Sequence, residues 1–163
     1  MAPPHPTPEH QLLQQFVGTF DTVTEFAIPG SDKPFLVPGR ETCRLDMGGL
    51  WLVFDLESGE PPTNFRGHGL MGFDTQKQKF VGVWVDPSTS ALQLSEGDAD
   101  ATGKVITMRG TMPDYFQSGS PTVTRQVSRI VDADTKEFEV WRDAEGQESL
   151  RIALIRYRRR LHT

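Results

Sequence analysis

Cysteine is almost absent from this chain: Cys43 is the single one among 163 residues. An intrachain disulfide is thereby excluded, as is a zinc site built on several thiolates. One isolated thiol is read as a small buried hydrophobe. Long apolar runs are missing as well, none approaching the roughly 18 residues of a membrane-spanning helix, and no membrane partner is expected. Basic charge is scarce: 17 Lys and Arg stand against 22 Asp and Glu, a formal net charge of −5. Displacing counterions from nucleic acid requires the opposite balance, so no nucleic-acid partner is expected either. The opening MAPPHPTPEH has neither the basic start nor the apolar stretch of a secretory signal, and the chain reads as cytoplasmic. No GxSxG elbow, P-loop or HExxH occurs. The four histidines, His5, His10, His68 and His162, are scattered without ligand spacing, and neither a metal nor another cofactor is predicted.

Helical periodicity is also rare, confined to one place. Residues 1–7 carry three prolines and nothing to bury, and read as a flexible arm before a single domain over 8–163. Thr7-Pro8-Glu9 offers a capping side chain, a preset φ and an acid near the positive helix end. Leu12, Leu13, Phe16 and Val17 then form one apolar stripe, which Gly18 stops.

After Gly18 the period becomes alternating. Strands are predicted near 19–28, 36–46, 50–57, 65–73, 79–86, 90–97, 104–112, 122–131, 137–142 and 148–158. Aspartates open the intervening turns at Asp74, Asp98, Asp132 and Asp143, where a carboxylate can accept from backbone N–H groups two residues on. Ten strands on short connections pair with their sequence neighbours. Closure removes the exposed edges of so large a sheet. The fold class is therefore mainly all-β: an antiparallel up-and-down barrel of about 8–10 strands with one short N-terminal helix. The stretches 50–56 and 80–85 are apolar on both faces, so helix 8–17 or a second subunit is expected to cover them from outside.

Several short motifs have a plainer meaning than their chemistry. Gly67-His-Gly-Leu-Met-Gly72 matches GxGxxG, but a turn and a strand follow it rather than a helix. Its glycines are read as places where a strand bends or passes under an aromatic ring. Asp98-Ala-Asp-Ala-Thr-Gly103 begins like a calcium loop, yet Arg109 stands where the closing glutamate belongs; a hairpin turn is predicted. In the basic run 156–160, alternation puts Arg156, Arg158 and Arg160 on one face and Tyr157 and Arg159 on the other. One set is placed within reach of the barrel interior.

Taken in order, Leu13-x-x-Phe-Val-Gly-Thr-Phe20, Gly69-Leu-Met-Gly-Phe-Asp74, Phe80-Val-Gly-Val-Trp-Val-Asp86, Glu96-Gly97, Ile106-Thr-Met-Arg-Gly110 and Tyr157-Arg-Arg159 resemble the bacterial proteins classed as domain of unknown function 1579, over about residues 10–160. The resemblance implies a calycin-like, lipocalin-like barrel and brings no established activity. The chain departs from calycin habit in having Gly18-Thr-Phe20 where Gly-x-Trp is usual. Tyr157-x-Arg159 reverses the order of the Arg-x-Tyr pair of fatty-acid-binding proteins.

A barrel of this size leaves room for a small apolar or amphipathic ligand unless large side chains fill it. Binding is the leading expectation, with His68, Trp84, Glu96, Arg125 and Trp141 as candidate lining residues, chosen as polar or indole side chains within predicted strands. Two rivals stand beside it. One is a filled barrel acting as an interaction module, a homodimer through the apolar strands. The other is an enzyme pairing His68 with Glu96 or Asp86 as acid and base; no catalytic residue is assigned without that pairing.

Overall fold

The computed structural model describes residues 4–60, 64–112, 122–143 and 148–161. Helix α1 (Pro8–Leu12) runs into a 3-10 turn over Leu13–Phe16. At its start the Thr7 backbone N–H donates to Nδ1 of His10 at 3.1 Å. Ten strands follow among the described residues: β1 (Gly18–Phe26), β2 (Phe35–Asp46), β3 (Trp51–Ser58), β4 (Phe65–Asp74), β5 (Lys79–Val85), β6 (Gln93–Ala99), β7 (Val105–Met112), β8 (Thr122–Ile130), β9 (Thr135–Arg142) and β10 (Leu150–Arg159). Each pairs antiparallel with its sequence neighbours, and β10 returns to β1, closing the barrel. That last seam runs from Phe20 opposite Arg159 to Phe26 opposite Ala153. No helix among the described residues is long and apolar enough to cross a membrane.

Alternation sets which side chains enter the barrel. In β2, Arg40, Thr42 and Arg44 are exposed while Glu41 and Cys43 are buried. A register slip of one residue would exchange the two sets. At one end of the barrel Leu13 and Phe16 pack onto Cys43, Leu52, Met71, Phe80, Ile106 and Met108. Full burial of Leu13 and Phe16 contributes about 2–3 kcal/mol each. The expectation that residues 8–17 shield the outside of the apolar strands is thus corrected. The stripe is too short to cover a strand face, and it stoppers the barrel end instead. Gln15 fastens the stopper by donating to the carbonyl oxygens of Leu12 and Gly103 at 3.1 and 2.9 Å. Arg159 donates to the Val17 carbonyl at 2.7 Å.

Three glycines of β4 sit under aromatic rings. A methyl group on Gly67 would lie 2.0 Å from Cζ2 of Trp84, one on Gly69 2.1 Å from Cε2 of Phe54, and one on Gly72 2.6 Å from Cε3 of Trp51. None of the three has a positive φ, so the requirement is space rather than backbone freedom. Trp51 lies opposite Gly72, and its ring covers that glycine from the outside.

The aspartate turns at Asp74 and Asp132 form as expected, each carboxylate accepting two backbone N–H bonds. Asp100 does the same for the Val105 N–H, whereas Asp98 lies in β6 and is bound to Lys79 at 2.6 Å. Asp143 departs from the pattern, because its carboxylate accepts from Arg125, Arg109 and Ser149 side chains. The rest of its expected turn, 144–146, lies outside the described residues, as do residues 1–3 of the predicted arm.

Candidate functional site

The barrel interior holds a cavity of about 660 Å³. It extends from Phe16 at the stoppered end to Phe26 and Phe35 at the other. Its wall is mainly apolar. Trp84 is its largest ring, stacked between Phe54 at 5.9 Å and Phe65 at 6.5 Å between centroids. Gly67 and Gly69 leave these rings room to lie flat against the sheet. The Trp84 indole N–H donates to Asp86 at 2.8 Å, and the Gln93 amide donates to the same oxygen at 3.2 Å.

At the stoppered end the wall carries a buried polar cluster. Lys136 donates to Oε1 of Glu41 at 2.9 Å and to Sγ of Cys43 at 3.3 Å. The Cys43 thiol donates to the same Glu41 oxygen at 3.0 Å, and the Tyr157 hydroxyl to its other oxygen at 3.3 Å. The Lys136 ammonium also lies 4.2 Å from the centre of the Phe20 ring and 4.5 Å from that of Tyr157, within cation–π range. Side-chain exposure is 6% for Lys136 and 7% for Glu41. An ion pair so far from water persists only if both partners are well hydrogen-bonded, and here Glu41 accepts from three donors. Burial, and then the Glu41 charge, push the Cys43 thiol and the Tyr157 phenol above their ordinary pKa values. Both stay protonated donors, and a protonated thiol is a poor nucleophile. The cluster can accept and donate hydrogen bonds; it is not arranged as an activated cysteine.

Of the five residues expected to line the interior, the structure brings one, Trp84, to the cavity. The other four lie on the opposite face of their strands. His68 points outward to Asp55. Its inward neighbours are Gly67 and Gly69. Glu96 is exposed and paired with Lys77 at 2.9 Å, while its alternation partners Gln93 and Ser95 reach the cavity. Arg125 grips Asp143 with two bonds of 2.9 and 3.1 Å and lies over the Trp141 ring at 5.1 Å. Trp141 donates to Glu139 at 3.1 Å and is flanked on its other side by Arg151 at 5.9 Å. Asp143 is held well below the usual carboxylate range mainly by Arg125, with Ser149 and Arg109 also donating to it. His68 is not brought to Glu96 or Asp86, so that acid–base pair does not assemble.

Lys136, Glu41, Cys43 and Tyr157 were not among the expected site residues. Glu41 and Cys43 share one face of β2, a carboxylate in step with a small hydrophobe. Lys136 falls in the sequence assigned to a turn, but β9 begins at Thr135. That puts Lys136 in phase with Phe138 and Val140 on the inward face.

A closed, ten-stranded, up-and-down antiparallel barrel around a largely apolar cavity with one buried polar cluster defines the structural class. The chain belongs to the family described as protein of unknown function (DUF1579), whose model matches residues 5–159. Among solved structures it is similar to Rv2717c from M. tuberculosis, with a TM-score of 0.69 and 16% identity over 95% of this chain and 99% of that one. At that identity the likeness speaks for the fold alone. No curated protein matches.

Proposed function

We propose that the protein binds a small apolar or amphipathic molecule inside the barrel. The carrying observation is the interior itself: about 660 Å³ is left between rings and aliphatic side chains, within the size range of ligand pockets. A barrel serving only as a scaffold gains stability by filling that volume, since unfilled space lined by apolar atoms forfeits contacts. Among the polar groups of the wall two sets are clustered, Asp86 and Gln93 beside Trp84 and Glu41 with its partners at the stoppered end. This is the anatomy of a site that takes an oriented ligand.

The test is native mass spectrometry of the protein purified without denaturation from its own cells, alongside titration with a neutral, environment-sensitive apolar dye. A co-purified adduct or saturable dye binding that Trp84→Ala weakens supports the reading. Absence of both, with the dye excluded from the folded protein, refutes it.

A further inference from the structure

Which chemistry the cavity accepts follows from how its charges are matched. Among the described residues on the wall, Lys136 is the one cationic side chain. Its ammonium is already matched by Glu41 at 2.9 Å, and a second proton is given to the Cys43 sulfur at 3.3 Å. The ring faces of Phe20 and Tyr157 occupy more of its surroundings. No arginine among the described residues lines the cavity; Arg159 lies over Phe20 at 4.8 Å and donates to the carbonyl of Val17.

An incoming carboxylate would lose its hydration and find no unmatched cation, and burial of a charge without a partner is strongly unfavourable. It would also approach the negative charges of Glu41 and Asp86. A hydroxyl, carbonyl or amide needs only a hydrogen bond. Neutral groups of that kind are abundant on the wall, with Ser95, Gln126 and Ser128 joining the Tyr157 hydroxyl.

Resting on the binding reading above, we propose that the cavity selects uncharged amphipaths, molecules with an alcohol, carbonyl or amide end and an apolar body, and discriminates against their carboxylate counterparts. The polar end sits at the Lys136, Glu41 and Tyr157 cluster. The apolar body lies along Phe54, Trp84 and Phe65.

The experiment is displacement of the neutral dye by dodecanol, methyl dodecanoate and dodecanoate, at a pH well above the carboxylate range. Dodecanol and the ester are expected to displace it at least about tenfold more tightly than the acid, a difference of about 1.4 kcal/mol. In Glu41→Gln the Lys136 charge loses its match, and the ratio of acid to alcohol affinity is expected to rise by about tenfold. Dodecanoate binding the parent as tightly as dodecanol overturns the selectivity while leaving the binding reading intact. So does a Glu41→Gln variant that folds and keeps the parental ratio. If that variant does not fold, the parent comparison of acid with its methyl ester decides alone. Failure of every compound, and of the dye itself, to bind removes both readings together.

Discussion

Substituting Gly67 by alanine tests whether the glycines of β4 exist to seat the cavity rings. The new methyl carbon would stand 2.0 Å from Cζ2 and 2.4 Å from Cη2 of Trp84, where nonbonded carbons rest at about 3.5–4.0 Å. The indole must therefore move by about 1.5–2 Å. It is not at liberty to do so, with Phe54 and Phe65 stacked on it at interplanar angles of 19° and 20° and its N–H bonded to Asp86. Overpacking of this kind costs about 1–3 kcal/mol, and a weakened indole hydrogen bond adds about 1 kcal/mol. Against this, alanine is favoured over glycine within a strand by about 0.5–1 kcal/mol. The net expectation is a loss of about 1–3 kcal/mol.

Trp84→Ala costs about 3 kcal/mol, the low end for a core ring, because the ring already borders open space. In that background the clash is gone, and Gly67→Ala becomes neutral or mildly stabilising. The coupling between the two sites is therefore about 2–3 kcal/mol. Urea denaturation of the four proteins of this cycle, followed by circular dichroism, measures it. An equal cost for Gly67→Ala in both backgrounds refutes the claim that Trp84 is what the glycine accommodates.

Three other outcomes follow from the same geometry. Lys136→Met leaves the Glu41 carboxylate buried without its counter-ion and is expected to lose about 3–5 kcal/mol in urea denaturation; Lys136→Met combined with Glu41→Gln should recover much of that, and a double variant no better than the single contradicts the pairing. Cys43, buried and with its thiol pKa raised, should react with an aromatic disulfide reagent orders of magnitude more slowly in the folded protein than in urea; equal rates would place it outside the core. Asp143 is held below its unfolded pKa by Arg125 and Ser149, so its stabilisation is present above the unfolded value of about 3.9 and fades as pH falls through the folded value. Asp143→Asn should thus lose about 1–2 kcal/mol at neutral pH and converge with the parent in strong acid, and a difference that grows on acidification would contradict the sign.

Alternation carried the fold into the sequence. Most strands rest on a run in which inward and outward residues take turns, β10 being interrupted by a register shift between Arg151 and Ala153, and aspartates at Asp74 and Asp132 mark the hairpins because their carboxylates bind the turning backbone. The cavity was harder to read, since alternation gives two sets per strand and not which set is inside. His68 and Glu96 attract attention as polar side chains within strands, yet the inward positions beside them are glycine or small. Bulky rings from neighbouring strands, Phe54 and Trp84, fill the space those glycines leave. The cluster residues were hidden for another reason. Their meaning is pairwise, and Glu41, Lys136 and Tyr157 are ordinary until β2, β9 and β10 meet.

That meeting has a consequence for synthesis on the ribosome. Glu41 and its partners are separated by 95 residues from Lys136 and by 116 from Tyr157, so the carboxylate emerges long before anything exists to neutralise it. Until β10 leaves the exit tunnel, β1 has an unpaired edge, and the interior carries a charge that favours staying wet. Lys136 comes from β9 and Tyr157 from β10, so the cluster at the end wall of the cavity is complete only once both strands have joined the sheet.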